Sequence, residues 1–221
     1  GKIELDAGRQ KEGEELLLQR RHTPMRGAQE SFPAHKVGGL LQRVSQRQLP
    51  GGSLQNRMRF PLEVLEAVRA AVPVSMPVGI RISASDWVDG GWDVEQSVVL
   101  GQALAQRGCA FMDVSSGGVS PLQKIPLVPG YQVPFAQRIK EACGMPTFAV
   151  GLITEPAQAE AIVATGQADV VALARAMLFS PHWPWQAAAE LGASVDVPPQ
   201  YWRSQPRELK HLFGETTLGG R

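Results

Sequence analysis

Apolar and polar residues follow a regular pattern from Arg57 onward. Between Phe60 and Val72 the apolar residues recur at helical spacing and the charges fall on the other side, which predicts an amphipathic helix. From Pro77 to Ser83 the pattern alternates, which predicts a strand. The polar loop after this strand contains an Asp-Gly-Gly turn signal at residues 89–91.

The same succession of helix and strand continues to residue 191. Asp93 is the predicted N-cap of a helix that runs to Arg107, where Gly108 ends it. The other predicted strands are 111–114, 147–150 and 169–175, and the other predicted helices are 131–142, 154–165 and 181–191. The strand Asp169–Arg175 carries a cation at its carboxyl end, which is typical of an anion site.

Four alternations of strand and helix predict a parallel sheet. Two architectures use such a sheet, the open doubly wound fold and the (β/α)₈ TIM barrel. No Gly-x-Gly-x-x-Gly follows any predicted strand, and polar or small residues cluster after each of them, as in barrels. We therefore expect an α/β fold of the (β/α)8 TIM barrel family, of which four βα units make half.

The composition limits the classes of partner. A chain of 221 residues that is 43% hydrophobic can bury a sizeable core. The net charge of +1 does not favour nucleic acid, and no apolar stretch is long enough to span a bilayer. Cys109 and Cys143 lack metal-ligand spacing, and no export signal is found. We expect a cytoplasmic protein whose partners do not include nucleic acid or membrane.

Residues 1–50 differ from the rest of the chain. Lys and Arg outnumber Asp and Glu there, Phe32 is the segment's only aromatic residue, and no clear periodicity is found before Pro50. We expect a poorly ordered leader. A nucleic-acid-binding tract is the less favoured alternative, because the basic residues are scattered and lack interleaved aromatics.

Two residues near the carboxyl ends of the last strands suggest a phosphate site. In (β/α)₈ barrels the phosphate of a ligand commonly lies between the loops after the seventh and eighth strands. Gly151 allows close approach of the backbone after one strand, and Arg175 supplies a cation after the next. A plain tight turn at Gly151 and a surface cation at Arg175 are the alternatives.

Arg81 lies inside the apolar strand from Pro77 to Ser83. A buried unpaired charge costs several kcal/mol, so we expect a partner for it. One interpretation is an ion pair with Asp113 or Asp86. The other is a cation held beneath an electron-rich ring or an oxyanion.

Six motifs in order along the chain resemble the Old Yellow Enzyme family, and most closely its bacterial xenobiotic-reductase branch. The motifs are Gly51–Phe60, Arg81–Asp86, Asp113–Gly117, Pro129–Val133, Ala149–Thr154 and Ala172–Arg175. The resemblance extends from about Gly51 to Arg203 and covers the last four βα units of a barrel. Members of this family are FMN-dependent ene reductases, often described as NADH:flavin oxidoreductases.

The resemblance implies roles for individual residues. Arg81 matches the arginine that lies against the flavin pyrimidine edge. Gly151 and Arg175 match the residues that hold the FMN phosphate, by backbone N–H and by side chain, and Ala174 stands where relatives commonly have Gly. Arg203 resembles an arginine that reaches into a neighbouring subunit's active site, which implies a homo-oligomer.

The implied reaction is reduction of the C=C bond of α,β-unsaturated carbonyl compounds with NAD(P)H. In the family, the carbonyl-binding His pair and the proton-donating Tyr belong to the first four βα units. Before Gly51 only Ala34-His35 and Gly39-Leu40-Leu41 are similar to that region; Phe32 stands where the first His would be, and no Tyr follows. We therefore expect this chain alone to be inactive, to bind FMN weakly and to associate through an uncovered sheet face.

One hypothesis explains the leader by a shifted reading frame. Arg43-Val44-Ser45-Gln46 can be encoded by the one-nucleotide-shifted codons of Glu-Phe-Leu-Ser, which the family carries near that place. The domain boundaries that we expect are therefore 1–50 for an atypical leader, 51–205 for the half-barrel and 206–221 for a tail without an assigned role. Two other functions stay open: a non-flavin barrel enzyme that binds a phosphorylated small molecule, and a non-catalytic fragment.

Overall fold

The computed structural model describes residues 52–214. The expectations for the leader, residues 1–50, and for the last part of the tail, residues 215–221, therefore lie outside the described residues.

Strands and helices alternate along the described chain. The first βα pairs are helix α1 (Leu54–Ala71), strand β1 (Ile80–Ser83), helix α2 (Val94–Ala105), strand β2 (Met112–Ser115) and helix α3 (Val133–Cys143). Strand β3 (Thr147–Ala149), helix α4 (Pro156–Ala164), strand β4 (Val170–Val171), helix α5 (Arg175–Phe179), helix α6 (Trp183–Glu190) and a 3-10 helix (Pro199–Ser204) follow.

The strands form one four-stranded parallel sheet in the order β1-β2-β3-β4. Ile80 pairs with Met112, which in turn pairs with Thr147, and Phe148 pairs with Val170. Each pair of neighbouring strands is joined by a helical crossover, as parallel pairing requires. The sequence predicted this half of a (β/α)₈ barrel, and the prediction is confirmed.

The outer face of the sheet carries the core. Met112, Val114, Thr147 and Ala149 are all 0% exposed, because helices α2 and α3 cover them. From these helices Leu104 and Ile139, also 0% exposed, pack into the same cluster. Burial of this apolar surface is the main source of the half-barrel's stability.

The inner face of the sheet is formed by the residues that alternate with the core residues along each strand. Arg81, Asp113, Phe148 and Val170 lie side by side across the four strands, since they are partners in the register. Successive side chains of a strand point to opposite faces. Phe111, two residues before Asp113, stacks on Phe148 with the ring centroids 5.0 Å apart. No described element covers this face, and Val170 remains 38% exposed.

Two predicted boundaries at the start of helices have clear physical causes. Helix α1 begins at Leu54, six residues before the predicted start, because the Ser53 hydroxyl accepts a hydrogen bond from the Asn56 N–H at 3.4 Å. The Asp93 cap is as predicted, since its Oδ1 accepts from the Gln96 N–H at 2.9 Å. The other helix and strand ends differ from the predicted ends by a few residues.

The last strand is shorter than predicted. The interpretation of Asp169–Arg175 as one strand is wrong, because β4 spans only Val170–Val171 and Arg175 begins helix α5. Strand β4 pairs with β3 alone among the described residues, and an edge strand without a second neighbour has fewer ladder hydrogen bonds.

Residues after α6 form a small separate cluster. Val197, Leu212 and Phe213 are buried together, and Trp185 of α6 packs on Phe213 with the ring centroids 5.3 Å apart. The first part of the predicted tail is therefore packed against the helix that precedes it. No helix among residues 52–214 is long and apolar enough to cross a membrane.

Candidate functional site

A pocket of about 360 Å³ lies at the carboxyl ends of β3 and β4. It is lined by residues 150–154 and 172–176, which follow these two strands directly. Among the lining residues Arg175 is the only charged one. Side chains and loops at this edge of a parallel sheet are where barrel enzymes and open α/β proteins bind ligands.

The turn at Gly151 forms one wall of the pocket. Gly151 has a φ of +116°, and a Cβ built on it would meet the Gln132 side-chain nitrogen at 2.5 Å, so no larger residue fits there. Its carbonyl accepts a hydrogen bond from the Gly130 N–H at 3.0 Å. The N–H groups of Gly151 and Leu152 donate to no described residue, so they are available to an acceptor in the pocket.

Arg175 also lines the pocket. It is the first residue of α5, it is exposed, and its side chain has no ion-pair or hydrogen-bond partner within residues 52–214. Ala174 before it has a φ of −114°. Because this φ is negative, the position does not require Gly and the Ala174 methyl group is accommodated.

These residues fit a phosphate group. Free N–H donors on the Gly151–Leu152 turn and an unpaired guanidinium on Arg175 line the same pocket. None of the lining residues is acidic, so nothing in the lining repels an anion.

Arg81 is paired but exposed. Its Nη1 lies 2.9 Å from Oδ2 of Asp113, and the Arg81 side chain is 59% exposed against 18% for Asp113. Of the two partners that we expected, Asp113 is the one found, whereas Asp86 accepts from the Trp92 N–H. The expected burial of Arg81 is wrong, because the inner face has no cover within the described residues.

Asp113 has a second feature that the sequence did not predict. Its Oδ1 is buried and has no hydrogen-bond partner among the described residues, while Oδ2 accepts from Arg81. The carboxylate therefore binds only Nη1 of the guanidinium. The other guanidinium N–H groups of Arg81, whose side chain is 59% exposed, remain available on the inner face.

Side chains in the loops at the carboxyl edge are joined by hydrogen bonds. The Ser115 hydroxyl donates to the Ile82 carbonyl at 2.8 Å, and the Ser116 hydroxyl donates to Oε1 of Gln132 at 2.7 Å. Trp87 packs on Phe135 with the ring centroids 5.3 Å apart. Both serine hydroxyls are thus used in hydrogen bonds within this edge, and Trp87 packs against helix α3.

Gln132 is the residue of this edge that sequence reasoning missed. It is 4% exposed, and its side chain bridges the loops after β2 and β3. The available signal was its place in the Pro129–Val133 motif, directly before an amphipathic helix. The motif by itself does not show which loops the side chain joins.

Arg203 lies apart from the pocket residues in the 3-10 helix and is exposed. Its expected reach into a neighbouring subunit stays a prediction.

Cysteine and metal chemistry find no support at this site. Burial raises the pKa of the Cys109 thiol, whose Sγ donates to the Phe111 carbonyl, and burial also raises the pKa of Cys143. Within residues 52–214 there is no group of His, Cys, Asp and Glu that could hold a metal ion.

A match to a known protein family identifies the class of protein. Residues 42–193 match the NADH:flavin oxidoreductase / NADH oxidase family, and the chain belongs to this family. Members are flavin oxidoreductases that bind FMN, and the resemblance to the Old Yellow Enzyme family is thereby confirmed.

Particular relatives are bacterial NADPH dehydrogenases. The chain is 46% identical over 153 residues to the NADPH dehydrogenase of Geobacillus thermodenitrificans, which covers 69% of this chain and 44% of that protein. It is 40% identical over 154 residues to the NADPH dehydrogenase of Halalkalibacterium halodurans, covering 70% and 45%. The chain thus spans less than half the length of these relatives.

Solved structures show the same fold. A 2-naphthoyl-CoA reductase superposes with a TM-score of 0.57 at 26% identity, over 67% of this chain and 23% of that one. Histamine dehydrogenase from Rhizobium sp. 4-9 superposes with a TM-score of 0.53 at 25% identity, over 68% and 22%.

Proposed function

We propose that the pocket between residues 150–154 and 172–176 binds the phosphate group of FMN, and that the chain forms the phosphate half of the cofactor site in an NAD(P)H-dependent ene reductase. The observation that carries the proposal is the combination of Arg175, the only charge in the pocket lining, with the free N–H groups of the Gly151–Leu152 turn.

Each part of the pocket has a separate task. The N–H groups of Gly151 and Leu152 donate to phosphate oxygens, and Arg175 donates through its guanidinium, which matches phosphate geometry in a bidentate way. Because Arg175 has no described partner, phosphate binding breaks no ion pair within residues 52–214. Charge-assisted hydrogen bonds of this kind contribute about 1.5–3 kcal/mol each.

Arg81 lies on the inner face of the sheet and would be the residue that contacts the flavin ring in this proposal. When bound, FMN supplies hydride-transfer chemistry between NAD(P)H and the C=C bond of an α,β-unsaturated carbonyl compound. Arg81 would supply the positive charge that the family resemblance assigns to the flavin ring, and Asp113 holds that guanidinium in place at 2.9 Å. NADPH is the reductant that the names of the relatives support.

The chain by itself is a weak flavoprotein in this proposal. The inner face is open, so the ring would be exposed to water and its affinity would rest on the phosphate alone. Turnover of a substrate such as cyclohexenone is expected to be negligible. A homo-oligomer in which Arg203 reaches a neighbouring active site belongs to the same proposal.

The test compares FMN with riboflavin, which lacks the phosphate. Dissociation constants of both are measured with the full chain by flavin fluorescence, for the wild type and for Arg175→Met. We expect the wild type to bind FMN at least tenfold more tightly than riboflavin, a difference of about 1.4 kcal/mol. Arg175→Met should lose most of this preference.

Arg207→Met is the matched control, because Arg207 is also exposed and without a described partner but does not line the pocket. It should leave the preference unchanged. Equal affinity of the wild type for FMN and riboflavin would overturn the phosphate site. Purified chain that is yellow and reduces cyclohexenone at rates usual for ene reductases would overturn the expected inactivity.

A further inference from the structure

Two residues other than glycine have a positive φ in the described part of the chain. Trp87, in the loop after β1, has a φ of 57°, and Leu152, in the loop after β3, has a φ of 50°. Side chains with a Cβ adopt this conformation rarely, and it persists only where surrounding contacts enforce it. Something must therefore hold both loops in place.

A continuous chain of hydrogen bonds runs from one of these loops to the other. Nε1 of Trp87 donates to Oγ of Ser116 at 2.8 Å, and Oγ of Ser116 donates to Oε1 of Gln132 at 2.7 Å. Nε2 of Gln132 then donates to the carbonyl of Val150 at 2.9 Å. The chain thus ends one residue before Gly151 and two before Leu152.

Gln132 uses both the oxygen and the nitrogen of its side-chain amide in this chain of hydrogen bonds. Its acceptor faces Ser116 and its donor faces Val150, and the residue is 4% exposed, so water cannot replace either bond easily. It also lies against the turn itself, since a Cβ on Gly151 would meet its Nε2 at 2.5 Å. The glutamine therefore limits where the Gly151 backbone can be.

A second hydrogen bond from residues 130–132 also holds the Gly151–Leu152 turn. The Gly130 N–H donates to the Gly151 carbonyl at 3.0 Å, two residues before Gln132. The carbonyls of both Val150 and Gly151 are thus held by residues 130–132. With its carbonyls fixed on that side, the turn leaves the N–H groups of Gly151 and Leu152 without described acceptors beside the pocket.

We propose that Gln132 is a positioning residue that fixes the Gly151–Leu152 turn so that its N–H groups face a bound phosphate. This inference rests on the proposed phosphate site and names a residue outside the pocket lining that sets the geometry of the site. Gln132 does not touch the phosphate. It acts through Val150 and Gly151, and Ser116 and Trp87 support its orientation.

The first measurement uses the ratio of FMN to riboflavin affinity. Gln132→Met keeps the length of the side chain and removes both hydrogen bonds. We expect its preference for FMN over riboflavin to fall about tenfold, while riboflavin affinity stays within about twofold of the wild type. Gln137→Met, on helix α3, is the control, because Gln137 bonds only to Glu141 at the exposed side of that helix.

The second measurement needs no flavin. Amide hydrogen exchange by NMR follows the Gly130 N–H, whose acceptor is the Gly151 carbonyl, and the Gly144 N–H, whose acceptor is the Lys140 carbonyl at the end of α3. In Gln132→Met the Gly130 amide should exchange about tenfold faster and the Gly144 amide should be unchanged. Equal acceleration of both amides, or of neither, would overturn the positioning role.

The outcomes separate the two proposals. A wild type without preference for FMN contradicts the phosphate site itself. A wild type with that preference, retained in Gln132→Met, contradicts only the role of Gln132. If Gln132→Met does not fold, Ser116→Ala removes the bonds of that hydroxyl to Gln132 Oε1 and from Trp87 Nε1, and leaves the bond from Gln132 to Val150 in place. It should accelerate exchange of the Gly130 amide a few-fold, and an unchanged exchange rate of that amide contradicts the inference.

Discussion

The two faces of the sheet have the same strands but very different surroundings. On the outer face Met112 and Thr147 are 0% exposed beneath helices α2 and α3. On the inner face Arg81 has a side chain that is 59% exposed, and Val170 is 38% exposed. Each strand contributes to both faces, since its side chains alternate.

The difference follows from where the cover for each face comes from. The helices that cover the outer face lie next to the strands in the chain, so the half-barrel completes that layer by itself. The cover of the inner face in a closed barrel comes from the opposite strands, and the chain spans less than half the length of its relatives. Stability of residues 52–214 should therefore reside in the outer layer, because no described element covers the inner face.

The largest loss of stability is expected from a substitution in the outer layer. Leu104→Ala removes a side chain of α2 that is 0% exposed and should lower the free energy of unfolding by about 2–5 kcal/mol, because it leaves a cavity. Val170→Ala on the inner face should cost less than about 1 kcal/mol, because that side chain already contacts water. Urea unfolding followed by circular dichroism measures both. Similar losses for the two variants would mean that the inner face is covered in solution.

An intermediate effect concerns the cap of α2, which also belongs to the outer layer. The pKa of Asp93 is lowered. The largest cause is the hydrogen bond from the Gln96 N–H, and the next is the hydrogen bond from the Gln96 side chain. Asp93→Ala should cost about 1 kcal/mol at neutral pH. The urea midpoints of the wild type and of Asp93→Ala, measured from neutral pH into the acid range, test this expectation.

The sign of the pH dependence follows from the lowered pKa. The ionised cap stabilises the folded chain above the ordinary pKa of 3.8, and this contribution disappears as the pH falls through the lower folded pKa. The gap between wild type and Asp93→Ala should therefore narrow in acid. Asp93→Asn, which keeps an acceptor without a charge, is the control and should lie near the wild type at neutral pH. A gap that widens in acid would contradict this assignment.

The smallest effect is expected on the inner face. A double-mutant cycle of Arg81→Met and Asp113→Asn should give a coupling free energy below about 1 kcal/mol, because water screens an ion pair whose arginine is 59% exposed. Raising the salt concentration should reduce the coupling further. A coupling of several kcal/mol that resists salt would show that the pair is buried in an assembly, and would reverse the contrast between the two faces.

Much of this architecture was predictable because it depends on local patterns. The Asp93 cap, the helix after it and the strand that ends at Ser83 follow from periodicity and cap chemistry within a few residues. Gly151 and Arg175 were predictable as neighbours of two consecutive strands, since parallel strands bring their carboxyl ends to one edge. That they line one pocket agrees with this expectation.

Other features depend on residues far apart in the chain. The predicted strand ran to Arg175, but among the described residues β4 pairs with β3 alone and spans only Val170–Val171. Gln132 and Val150 are 18 residues apart, and no periodicity connects them. Trp87 and Ser116 are 29 residues apart and belong to different loops.

By itself the sequence determined the order of the βα units, the glycine of the turn and the family, because these depend on short-range pattern and on matching motifs. The tertiary structure alone decided which partner Arg81 has, how exposed it is, and that Gln132 holds the Gly151 turn. Those outcomes depend on register and packing between strands and loops, and a side chain's partners are set by the elements that folding brings beside it.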